Sequence, residues 1–74
     1  MNDYRPIECS LHDRYEAAAV RRQRLHVSWA EADDTRRRTE GRISDIRVRD
    51  GAEYLVMSGG EEIRLDRIEE TRLL

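Results

Sequence analysis

At 74 residues the chain has room for one domain with one small core, close to the lower limit for folding alone. Hydrophobic residues make up 38 % and charged residues 41 %, so most of the surface is ionic, and a net charge of −2 from 14 basic and 16 acidic side chains does not describe a generic nucleic-acid binder. Cys9 stands alone, which excludes an intrachain disulfide; with no signal peptide and no membrane-length apolar run, a reducing, cytoplasmic setting without a membrane is expected.

The first segment, Met1 to Cys9, reads as extended, because Pro6 disfavours helix at Arg5 and has no backbone N–H to donate. Cys9 reads as a small buried hydrophobe. Ser10 has the chemistry of an N-cap, with Asp13 three residues on, and the spacing predicts a helix over about 11–22 that buries Leu11, Tyr15, Ala18 and Ala19 along one face. Asp13 and Glu16 then fall in its first turns and Arg21, Arg22 and Arg24 at its end, as the helix dipole prefers.

From Leu25 the apolar period changes to two. Leu25, Val27 and Trp29 alternate with His26, Ser28 and Ala30, the pattern of a half-buried strand. The polar run "EADDTRRRTEG" makes a turn and starts a second strand. In "GRISDIRVRDG", Ile43 is out of phase with Ile46 and Val48, so that strand must bend or bulge near Ser44 and Asp45. "RDG" is a tight hairpin signal. "AEYLVM" is apolar on both faces and reads as an interior strand, "SGG" turns the chain, and "EEIRLDRI" alternates Ile63 and Leu65 with polar residues before a kink at Asp66-Arg67 that returns Ile68 to the core.

One helix ahead of four or five short, bent strands predicts a single domain over 1–74, mainly β. The expected fold class is a small Sm-like or SH3-like antiparallel β-barrel or sandwich, barrel about 25–70, with the helix across one open end.

Three kinds of site are worth weighing. Asp13, Glu16, Ala17 and Val20 lie opposite the buried helix stripe, and two carboxylates beside small apolar groups suit docking of a basic partner; the plain alternative is a solvated helix face. Arg36-Arg37-Arg38 and Arg21-Arg22-Arg24 are basic runs, but acids flank both and the aromatics Tyr4, Tyr15, Trp29 and Tyr54 mostly read as core, so ion-paired loops are favoured over RNA contacts. All the basic residues are Arg, which pairs bidentately with carboxylates. No catalytic group is expected, since the carboxylate pairs and serines sit in polar runs without an apolar pocket or a suitable base. No cofactor or metal is expected either: a zinc site would need His12, His26, Cys9 and a carboxylate to converge, at a spacing that matches no metal signature.

Read together, "YRPIEC", "HDRYEAA", "SDI" and "EYLV" followed by "IRLDRI" resemble the Rho-binding antiterminator family of the Rof or YaeO type, in order and interval, over Tyr4 to Ile68. The resemblance implies a bacterial cytoplasmic inhibitor of the termination factor Rho, with an N-terminal helix packed on a small Sm-like barrel. It implies binding near the RNA-binding OB-fold domain of Rho, which keeps RNA out, as a monomer without catalysis or cofactor. Asp13 and Glu16 match the acidic positions of the family's helix motif and are expected to engage that basic surface, with His12 at the rim and Glu8 and Asp3 adding field. Tyr4, Pro6, Ile7 and Cys9 match its opening motif and are expected to anchor the first segment; Asp45 and Asp66 are expected to be structural. The chain departs from the family in being only mildly acidic, in its arginines just past the helix, and in the loop around Asp33-Asp34. An Sm-like module that binds RNA through its Arg clusters is the alternative, and a toxin–antitoxin or phage-encoded modulator on the same fold a third.

Overall fold

The computed structural model describes residues 3–74; Met1 and Asn2, the start of the expected extended segment, lie outside the described residues. Among the described residues there is one helix, α1 (Cys9–Val20). The strands are β1 (Arg24–Ala30), β2 (Arg36–Arg49), β3 (Ala52–Met57), β4 (Glu62–Arg64) and β5 (Ile68–Leu73), with a single 3₁₀ turn at Leu65–Arg67. The strands form one antiparallel sheet in the order β4-β3-β2-β1-β5.

The middle strand holds the sheet together. β2 pairs with β1 over Arg36–Arg42 and with β3 from Ile43 onward. Its 14 residues would span about 43 Å if straight, yet the longest dimension of the molecule is 34 Å. The strand therefore bends. The register slips between Ile43 and Asp45, at the predicted bulge, where Ser44 Oγ donates to the Val56 carbonyl and Asp45 Oδ1 accepts the Ile46 N–H.

Chain reversals follow local chemistry. Asp50 (φ 52°) and Gly51 (φ 79°) are both left-handed, the two-residue hairpin turn that "DG" predicts. Between β1 and β2, Asp34 takes the left-handed position (φ 67°) while Asp33 Oδ1 accepts the Thr35 N–H. Val27, Leu55, Met57, Ile63 and Leu65 fill the centre, and α1 closes over it with Tyr15 and Ala18 buried and Leu11 half-buried.

Several expectations are corrected. The helix spans Cys9–Val20 rather than 11–22, with Glu8 at the N-cap and Ser10 inside the first turn. The shift moves Asp13 out of the first turn and puts Arg21, the C-cap, with Arg22 and Arg24 past the last turn, so neither terminal turn itself carries the expected charge. Cys9 is exposed, not buried, because the helix begins at it and turns it outward. Val48 follows Ile46 on the same side of β2 but is 71 % exposed, since an open groove separates α1 from that end of the strand. Tyr54 is only half-buried and lies under the Arg49 guanidinium, 4.7 Å from its ring centroid.

Of the expected anchors of the opening segment, Tyr4 and Ile7 pack on the core while Pro6 and Cys9 are exposed, and the Arg5 N–H adds a bond to Asp66 Oδ2. Arg64 completes the anchor with hydrogen bonds to both Asp66 oxygens (2.6 and 2.9 Å) and to Asp3.

Candidate partner-binding face

Positions 9, 12, 13, 16 and 20 share one side of α1 at spacings of three and four. The structure brings His12, Asp13 and Glu16 together there, with one donor atom from each within 4.8 Å of the others. Asp13 is exposed, and the Glu16 side chain is 56 % exposed. His12 Nδ1 lies 2.6 Å from Glu16 Oε1, and its Nε2 lies 2.9 Å from Glu53 Oε2. An imidazolium donates from both nitrogens and satisfies both carboxylates. His12 thus ties the helix to β3 and stands inside the acidic cluster. Glu8, the fourth expected residue, is exposed at the helix start, and its carbonyl accepts the His12 N–H at 3.0 Å.

Glu53 was not expected. It is the acid in an otherwise apolar strand, and its link to the helix crosses elements that the sequence does not show to be adjacent. Beside it runs an open groove of about 520 Å³ between α1 and the β2–β3 hairpin. Val20 faces this groove as the helix pattern implies, whereas Ala17 lines a different one on the far flank of α1, with Arg14 and Arg21.

Two acids near this face are already engaged. Asp3 pairs with Arg64 at 2.9 Å, so it contributes little free field. Asp45 accepts from Arg47, which, with the Ile46 N–H, holds its carboxyl below the usual range.

The arginine runs lie elsewhere. Arg36 pairs with Glu69 at 3.2 Å and Arg37 with Glu31 at 3.0 Å, as expected, whereas among the described residues no ion pair forms at Arg38 or in the Arg21, Arg22 and Arg24 run. Trp29 beside them is 6 % exposed, and its indole N–H donates to Glu31, so no ring is offered for base stacking. Glu61 on the same side is held low by the Thr39 hydroxyl at 2.5 Å. His26 sits half-buried on β1 between Glu40 and Glu70 and does not converge with His12 or Cys9.

Among the described residues, His12, Asp13 and Glu16 are the group that could offer a metal their donors, yet both ring nitrogens of His12 already face carboxylates. Among the described residues no helix is long and apolar enough to cross a membrane. Comparison with protein-family models, curated proteins and solved structures gives no match.

Proposed function

We propose that the chain is a non-catalytic inhibitor of Rho-dependent transcription termination in the bacterial cytoplasm. Its Asp13–Glu16 face docks on the basic RNA-binding region of Rho and excludes RNA. The five-strand sheet with its capping helix is read as a small Sm-like domain, acting as a monomer without a cofactor. The sequence resemblance over Tyr4 to Ile68 motivates this reading. The observation that carries it is that Asp13 and Glu16 face solvent, and among the described residues no arginine pairs with either, although the chain holds 14.

A cleft that grips RNA must present cations. Carboxylates set on a rigid helix can take the place of phosphates there. Charge-assisted hydrogen bonds of this kind cost about 2–5 kcal/mol when one buried partner is truncated.

The test is competition against oligo-C RNA for purified Rho. The parent protein displaces the RNA, and Asp13→Arg with Glu16→Arg abolishes displacement while circular dichroism stays unchanged. Undiminished competition by the double variant rejects this face. A gel shift with RNA alone separates the RNA-binding alternative, for which affinity would fall steeply with salt. The pairing of Arg36 and Arg37 with acids argues for no shift.

A further inference from the structure

The groove between α1 and the β2–β3 hairpin is unusual for this surface. Val20 is 82 % exposed and Val48 71 %, and both line it together with Ala19 and Ile46. In a chain that is 41 % charged, few other large apolar side chains are exposed: among the described residues these are Leu73 and Leu74. Of the 14 arginines, none lines this groove, whereas the groove on the other flank of α1 has Arg14 and Arg21. The acids of the rim are Glu16, Glu53 and Asp45, of which Asp45 is neutralised by Arg47 at 2.9 Å. Even with an imidazolium at His12 between Glu16 and Glu53, that pair keeps one net negative charge, and Asp13 stands one residue away.

We infer that this groove seats an aliphatic side chain of a partner protein, carried on a segment whose neighbouring residues are cationic. An apolar slot ringed by carboxylates complements a segment in which one leucine-like residue is flanked by arginine or lysine. Phosphate-bearing chains and anionic lipid surfaces meet repulsion at the same rim. The inference rests on the reading that this face docks on a protein. It adds that apolar contact supplies affinity, while the acids select the partner and set its approach. Burial of one aliphatic side chain against the two valines is worth about tenfold in affinity.

The test uses the full chain and two synthetic peptides of equal charge, Gly-Arg-Arg-Leu-Arg-Arg-Gly and Gly-Arg-Arg-Ser-Arg-Arg-Gly, followed by amide chemical shifts. The leucine peptide binds about tenfold more tightly than the serine peptide and moves the amides of Val20, Ile46, Val48 and Glu53. Val20→Ser with Val48→Ser brings the two peptides within twofold of each other. Equal binding of both peptides to the parent protein overturns the inference, and so do shifts confined to Leu73 and Leu74. Sedimentation showing that the parent dimerises through Val48 overturns it in favour of a second copy. Capture of Rho is measured alongside. If Rho is not captured while the leucine peptide discriminates, the Rho assignment fails and the groove stands. If Rho is captured equally by the parent and the valine double variant, the groove fails and the Rho assignment stands.

Discussion

Arg64 reaches three anchors at once: the Asp66 carboxylate, the Asp3 carboxylate and the face of the Tyr4 ring, 5.6 Å from its guanidinium carbon. The Asp66 hydrogen bond is the largest of the influences that raise the Arg64 pKa. Burial pushes the Asp66 carboxyl up, but the Arg64 hydrogen bonds and the Arg5 N–H outweigh it, leaving Asp66 below its ordinary value of 3.8. Asp66→Asn is expected to cost about 1–3 kcal/mol in urea unfolding at pH 7. Because the folded pKa is the lower one, the unfolded chain takes up this proton first as pH falls. The difference between parent and variant is therefore full above about pH 4 and closes as pH drops through the folded value. A difference that persisted unchanged at pH 2 would remove Asp66 from this role. The sequence marked Asp66 as a turn residue, but Arg5 reaches Asp66, and Asp3 reaches Arg64, only when the first segment crosses the 3₁₀ turn. The same holds for Glu53: His12 was legible as a neighbour of Glu16 from helical spacing, and the strand on its other side was not.

At the scale of elements, the end of α1 explains why its boundaries were misplaced. The Gln23 N–H bonds the Ala18 carbonyl and the Arg22 N–H bonds the Ala19 carbonyl, the paired reversal that closes many helices. That reversal needs a left-handed residue, which here is Arg22 at φ 53°. Glycine is the usual signal for such a stop, and without it the helical pattern runs on in the sequence to residue 22. Arg22→Gly is expected to stabilise the fold by about 0.5–1 kcal/mol, the left-handed strain removed less the backbone freedom added. Thermal unfolding checks this, and a lowered midpoint would show that the Arg22 side chain does more than occupy the turn. By contrast, the Asp50-Gly51 hairpin and the bulge at Ser44 and Asp45 could be read in advance, because glycine chemistry and a break in apolar phase are local signals. Val48 was not legible for the opposite reason. Its phase with Ile46 is that of a core residue, and the open groove beside α1 leaves it uncovered.

Over the whole molecule, α1 divides two unlike grooves: one apolar with an acidic rim, the other carrying Arg14 and Arg21. A mild net charge of −2 conceals this division, since acids elsewhere pair with arginines such as Arg36, Arg37 and Arg49. The charge-reversed variant at Asp13 and Glu16 is thus expected to lose binding without gaining general affinity for nucleic acid. Competition and gel-shift assays read those two outcomes separately.

β2 donates and accepts across both of its edges, to β1 in its first half and to β3 in its second. Opening either half releases the strand on which the other is built. The protein therefore has no smaller cooperative unit into which it can come apart. Deuterium exchange under conditions where reclosing is fast should report one opening free energy for the amides of Val27 and Leu55, although they belong to different strands. Values differing by more than about 1 kcal/mol would mean that the bend at Ser44 acts as a joint between two separable folding units.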